Sequence, residues 1–516
     1  MKSLLTSLSL RIFLSIFFGL TVLANGQSFT YKLSPAFFKA TNPEKIVLQE
    51  NGIVYFITKE ISGTTSAEKL LLNSMSADGK VTSQKIKFPS IKGADEKDAS
   101  IISFNGQIIA FVNDNNKATD TRDFYVVEFD KATLLAKPAG KKLASVEKKG
   151  GLFSGQSYSY QISPDAKKVS VIETHVVDKK RVGKCYMFDD KFEKTETFDL
   201  NEELLANYYP SILYGAALLD YYFYNVWIKD QIGGIYLNNA GELFFVIPGS
   251  KTSKSQINVI NKSRTVEYVN FNNQNSSLSN TFFQRIGDMI CIKSDIMTED
   301  KKTGMYVCRF NLTAKKIGFE YYEKFGPEYT DKYFDRNPGN VRNFNKTSIL
   351  GMVISESGRT YIFDQTLWTD HLSGDGSMGF HTGNLLITCI DNSGKLVYRK
   401  SLLKLGDSYE FDRLAFIPIL DGDNLHVLYQ DHEENLTTWT TGKIKTPGLK
   451  SGVILTDALF DKEGKESHSN TNVYDQKMRL FIRTDMSTFA NQRSALLMLF
   501  NKNTSEGKFV EVGWKQ

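Results

Sequence analysis

Apolar and polar residues alternate along most of the chain in short runs, and Gly, Asn, Asp and Ser punctuate the runs. The stretch ISPDAKKVSVIETH, residues 162–175, shows the unit: an apolar residue, a tight polar turn, then alternation. A period of two between turn formers predicts a β-hairpin. The same turn-plus-strand signature reads NGIVYFITKE (51–60), NGQIIAFVND (105–114), DAKKVSVIET (165–174) and AGELFFVIPG (240–249). It continues as GDMICIKSD (287–295), KTSILGMVIS (346–355), DNLHVLYQD (423–431) and DQKMRLFIRT (475–484). A second signature, a strand that ends on an apolar residue before an Asp, Asn or Ser turn, follows each copy. The apolar residue is Met75, Phe129, Phe188, Ile260, Phe310, Ile390, Phe460 and Phe500, at gaps of 54, 59, 72, 50, 80, 70 and 40.

Two interleaved hairpin signatures per unit predict a four-stranded antiparallel sheet repeated about eight times. One such sheet cannot bury both of its faces, whereas copies stacked around an axis bury them all. The expected fold is therefore all-β, a β-propeller of about eight four-stranded blades over residues 27–516. Seven blades plus an irregular hairpin fit the compressed last unit, from about residue 470, as well. Two β-sandwiches would not need one pattern to run unbroken through the middle of the chain, and no window keeps the 3.6-residue period of a helical solenoid. The segment SFTYKLSPAFF (28–38) precedes the first full unit. It is placed to supply an outer strand to the last blade, and closing the ring removes sheet edges that would otherwise invite aggregation.

ISPDAKKVSVI is similar to the Ser-Pro-Asp-Gly-Lys turn of TolB-like and WD40-like propeller repeats, with Ala166 in the usual Gly position. The resemblance covers about a dozen residues. The Gly-His and Trp-Asp pairs of WD40 repeats are absent. The Lys- and Asn-rich, Pro-poor texture resembles exported propellers of Bacteroidota.

The first 26 residues read differently. MKSLLTSLSLR carries Lys2 and Arg11 without an acid, and the apolar run IFLSIFFGLTVLA follows. A cut after Ala24 or Gly26 would complete a secretory signal peptide. The run is shorter than the ~20 residues of a spanning helix. No Cys follows the cut, so no lipid anchor is expected there. The best later apolar stretch, 211–228, is interrupted by Asp220 and Asn225. The mature chain is expected in the periplasm or outside the cell, with no transmembrane segment. Its net charge falls from +5 to +3 on losing Lys2 and Arg11, too weak and too mixed for nucleic-acid binding.

All four cysteines, Cys185, Cys291, Cys308 and Cys389, lie in the mature part. Cys291 and Cys308 are symmetric about TEDKK (298–302), so across a hairpin they would face each other. A disulfide and a pair of buried thiols are the two readings. No CxxC spacing indicates a metal or redox site.

Propellers work through loops at one rim, so long insertions mark the candidate surface. The insertion 201–234 holds Tyr208, Tyr209, Tyr214, Tyr221, Tyr222, Phe223, Tyr224 and Trp227. Rings with a large apolar face and a polar edge suit protein docking, and sugar stacking is a second use. Tyr208, Tyr209, Tyr221, Tyr222, Tyr224, Trp227 and Trp368 form the candidate docking patch. The insertion 356–383 holds Trp368, Asp370, His371, Asp375 and His381 without a defensible ligand spacing, and reads as a flexible Gly-rich loop. The insertion 324–344 reads as an inter-blade connection. In DGDNLHVLYQDHEEN (421–435) turn chemistry accounts for the acids.

No catalytic residue, metal or cofactor is expected: there is no Gly-x-Ser-x-Gly elbow, no His-Glu-x-x-His and no sialidase-type Asp-box. Two functions compete. One is a non-catalytic protein-interaction module, in its concrete form an accessory or plug on outer-membrane secretion or transport machinery. The other is a polysaccharide-acting enzyme or carbohydrate-binding propeller, whose carboxylates need no motif.

Overall fold

In the computed structural model the described residues are 29–33, 38–39, 43–62, 67–94, 99–147, 157–177, 180–200, 234–247, 256–271, 277–298, 301–326, 329, 333, 347–371, 378–404, 406–408, 416–441, 444–445, 453–471, 481–491, 494–501 and 506–514. The expected signal peptide lies outside them.

Eight antiparallel sheets follow one another along the chain. Seven are built from consecutive strands within residues 43–85, 100–147, 157–200, 235–270, 277–324, 347–402 and 416–470, here blades 1 to 7. Blade 8 takes three strands from the C-terminus, Phe481–Asn491, Ser494–Asn501 and Glu506–Trp514, and its fourth from the N-terminus. Phe29–Leu33 pairs with Glu506–Trp514 in the register Phe29↔Trp514 to Leu33↔Val510, and Phe38–Lys39 continues along the same edge. The expected closure by residues 28–38 is therefore the observed one. It also explains the compressed last unit, which lacks a strand because the other chain end supplies it. The two turn signatures consequently fall one strand earlier there than elsewhere.

Each seam between neighbouring blades holds its own apolar cluster, and the eight clusters form a closed series. Blades 1 and 2 share Tyr55, Leu72, Ile101 and Phe129, and blades 5 and 6 share Cys291, Val307, Met352 and Ile362. Blades 6 and 7 share Phe363, Ile387, Val427 and Phe460. The closing seams are built likewise, with Leu428 and Leu455 against Leu497 and Val510, and Phe56 and Met75 against Met498 and Phe509. First strands of neighbouring blades touch at 1/2, 3/4, 5/6 and 8/1, which places the first strand of each blade nearest the axis.

Antiparallel order then sorts the connections. Turns between strands one and two, and between three and four, lie on one face; all other connections lie on the opposite face. The tight-turn face is tied from blade to blade. Asn105 Nδ2 donates to Ala166 O (3.1 Å), the Asp165 amide to Asn239 Oδ1 (3.0 Å), and Asn238 Nδ2 to Leu312 O (3.2 Å). Arg309 Nη1 donates to Gly358 O (2.5 Å), and Ser355 Oγ to Asp423 Oδ1 (2.6 Å).

The turn geometry recurs where the Ser-Pro-Asp wording does not. In Ser163–Lys168 the Ala166 amide donates to Ser163 O (2.9 Å), and the Lys168 amide to Ser163 Oγ (3.0 Å). Turns opening at Ser76, Asp189, Asn238, Asn261, Ser355, Asp391 and Asp461 repeat the first bond. Their fourth residue takes positive φ: 52° at Ala166 and 81° at Gly464. Ala166 shows that a side chain is tolerated at this φ. At Gly464 space forbids one, because a Cβ would sit 2.6 Å from Tyr398 Cγ of the neighbouring blade. Gly464→Ala should destabilise the protein by ~1–3 kcal/mol, read as a lowered urea midpoint with an unchanged m-value; an unchanged midpoint would refute this packing.

Candidate functional site

The second strand of each blade starts at the tight-turn face, and in six blades it becomes polar as it nears the other face. Its apolar residues give way to Thr58 in blade 1, Asp114 in blade 2 and Glu173 and Thr174 in blade 3. In blades 5, 6 and 7 the switch occurs at Lys293–Asp295, Asp364–Gln365 and Gln430–Asp431. All of these are buried. The polar ends underlie the face that carries the long connections, including 201–234 between Leu200 and Ile235. This long-connection face is the candidate site.

Its most heavily charged part is the seam between blades 5 and 6. Lys293, 1% exposed, donates from Nζ to Asp295 Oδ1 (2.6 Å) on its own strand and to Asp364 Oδ1 (2.9 Å) on blade 6. Lys302 Nζ approaches Asp295 Oδ1 at 2.9 Å. Although burial opposes ionisation of Asp295, the two ammonium groups outweigh it and hold the carboxyl down at about 2. The same two carboxylates raise Lys293 against its own burial. Farther out, Arg399 of blade 6 grips Glu323 of blade 5 bidentately, through Nη1 (2.9 Å) and Nη2 (2.6 Å). Tyr329 and Tyr333 from the 325–346 connection stand over the Arg399 guanidinium at 5.3 and 5.7 Å, and Phe325 stacks on Tyr329 at 3.7 Å. Three cations and three carboxylates thus balance within one seam. The inter-blade reading of 324–344 holds for these three rings.

The next seam, between blades 6 and 7, is polar in another way. Lys404, just beyond strand Leu396–Leu402, and Asp431 are both buried. Burial pushes the Lys404 amine down to about 7, against the attraction of Asp431, and raises the Asp431 carboxyl. Asp431 accepts from Asn435 Nδ2 (2.5 Å) and the His432 amide (2.8 Å).

The structure places the sequence candidates unevenly. Tyr208, Tyr209, Tyr221, Tyr222, Tyr224 and Trp227 lie outside the described residues. Trp368 lies on Thr360–His371, which with Met378–Ile390 extends as a hairpin arm beyond its sheet, braced by Gly406–Ser408. Residues 356–371 and 378–383 are thus mostly paired strand and tight turn rather than a flexible loop. Trp368 is the direct partner of His381, and Asp370 of Gly379, whereas His371 pairs with Met378. Asp375 lies outside the described residues.

Two readings are corrected. The strands around TEDKK do form a hairpin, with Thr298 opposite Lys301. A bulge at Thr303 then slips the register by one, so Cys291 pairs with Arg309 and Cys308 with Ile292. Cys291 faces blade 6 and Cys308 faces blade 4, both as buried free thiols, and the disulfide reading falls. In 421–435, Asp423 does belong to a turn, but Asp431 sits inside strand Asn424–His432. His426 Nδ1 meets Asp457 of the neighbouring strand Val453–Phe460 at 2.9 Å, a cross-strand contact rather than turn chemistry.

Sequence reasoning missed the Lys293–Asp364 pair, which joins residues 71 apart across a seam. The available signal was a Lys and an Asp inside the otherwise apolar strand MICIKSDIMT. Among the described residues no group of three His, Cys, Asp or Glu is arranged to hold a metal, and no helix is long and apolar enough to cross a membrane.

No protein-family model and no curated protein matches the chain. Solved structures do, among them two propellers. The Dos1 propeller is 10% identical over 93% of this chain and 95% of its own, at a TM-score of 0.42. The β-propeller domain of the Trilobed protease from Pyrococcus furiosus is 12% identical over 83% and 98%, at 0.34. Polysaccharide lyase Uly1 is 10% identical over 95% and 92%, at 0.36. The likeness is one of fold.

Lys293→Met should cost ~3–5 kcal/mol at neutral pH, because it removes the buried cation that Asp364 faces and leaves Asp295 with Lys302 in place of two ammonium groups. In the native protein, Asp295's contribution is present above the unfolded carboxyl value of ~4 and is lost as pH falls toward 2. The gap between variant and native should therefore narrow as pH falls below ~4 in urea melts. A gap independent of pH would contradict the pairing.

Proposed function

We propose that the protein is an exported, non-catalytic interaction module that docks a partner protein on its long-connection face. One observation carries the reading: the strand order gathers the longest connections on one face, while turns hydrogen-bonded to one another close the other. A rigid ring with one variable face is a binding scaffold in the way loops on a fixed framework generally are. The aromatic segment 201–234 joins blades 3 and 4 on that face, and Trp368 lies on the arm of blade 6. Tyr and Trp supply docking area at low entropic cost.

The apolar N-terminal run supports export, and the TolB-like turn supports a periplasmic setting. The concrete form of the proposal is an accessory or plug on an outer-membrane secretion or transport complex. Affinity purification of the native protein from detergent-solubilised membranes of its host should recover an outer-membrane complex. Replacing residues 201–234 by a short Gly-Ser linker should reduce that recovery at least about tenfold while the ring stays folded. Recovery of no membrane partner, together with glycan-array binding, would overturn the reading in favour of a carbohydrate-binding propeller.

A further inference from the structure

We propose that the seam between blades 6 and 7 is an opening joint, hinged at the tight-turn face and parting at the long-connection face. The inference rests on the chemistry of the seam and not on the docking reading.

The hinge side is the most heavily bonded turn contact described. Ser355 Oγ and Ser357 Oγ both donate to Asp423 Oδ1 at 2.6 Å. Tyr361 OH donates to Asp423 O (2.7 Å), and Arg359 Nη1 to Lys462 O (2.6 Å) while its Nε lies 3.3 Å from Asp423 Oδ2. Immediately above, Tyr361, Phe363, Ile387, Val427 and Phe460 close a dry cluster.

The upper half is built differently. Gln365 continues the Tyr361 and Phe363 face, and Thr456 the Ala458 face, so alternation turns both into this seam. Thr382 lies just beyond the bulge beside Gln365. Gln365, Thr382 and Thr456 are 0–1% exposed. Gln365 Oε1, Thr382 Oγ1 and Thr456 Oγ1 make no hydrogen bond to another protein group. Buried polar atoms without partners disfavour the closed seam relative to one that water can enter. The Lys404 and Asp431 pair lies at the same level, and burial penalises charge on both. The 5/6 seam is the contrast. At equal depth its charges are matched by Lys293 and by the Arg399–Glu323 fork. Blade 6 is therefore pinned on one side and loose on the other, and strain is relieved by parting from blade 7.

Hydrogen exchange with mass spectrometry on the full chain tests this. The upper amides of the 6/7 seam, 384–387 and 427–430, should exchange at least about tenfold faster than 305–308 and 292–295 of the 5/6 seam. Gln365→Leu with Thr382→Val and Thr456→Val should slow that exchange about tenfold and leave the melting temperature equal or higher. Thr456→Val alone, close to isosteric, should shift both in the same directions and serves if the triple variant misfolds. Equal protection at the two seams, or a lowered melting temperature in Thr456→Val, would overturn the proposal.

Discussion

A four-stranded sheet with two apolar faces has no stable existence in water, and this constraint shapes everything else in the molecule. Each blade hides one face on each neighbour, so stability resides in the seams. The series of clusters from blade 1 to blade 8 returns to its start because the N-terminal strand completes the last sheet. Only a closed circle leaves no blade with a bare face. The energetics are therefore collective, and a seam is the unit in which the protein gains or loses stability.

The seams are not equivalent. Each holds an apolar cluster, and several bury polar groups beside it. Those flanking blade 6 turn polar toward the long-connection face, one with matched charges and one with unmatched amides and hydroxyls. Replacing buried polar groups by apolar ones of equal shape is often neutral or stabilising, so their presence needs a reason other than stability. Matched charges across a seam fix which blade sits beside which. Unmatched groups lower the cost of separation. The polarity of these seams lies under the connections expected to meet a partner, which places any movement where binding would be felt.

Fold was legible because it depends on periodicity and turn chemistry, both local. NGIVYFITKE and DNLHVLYQD announce hairpins without any knowledge of the rest of the chain. Even ring closure could be anticipated from an unassigned strand at residues 28–38. What escaped depends on single-residue register and on contacts between distant units. The bulge at Thr303 leaves no mark in the symmetric spacing of Cys291 and Cys308, yet it turns the two thiols to opposite sides of their sheet. Lys293 and Asp364 belong to different repeats, so no window contains both. The candidate site was legible only as long connections; its electrostatics were not.

Closure of the circle by the two chain ends is the claim on which the rest depends, and a cross-strand cysteine pair tests it most directly. Tyr31→Cys with Val512→Cys places two thiols at directly paired positions. Mild oxidation of the monomer should give an intramolecular disulfide joining the N-terminal and C-terminal peptides, and the bond should raise the unfolding midpoint. Failure to form it in the folded monomer, or cross-linking of residue 31 to any other strand, would contradict the closed ring.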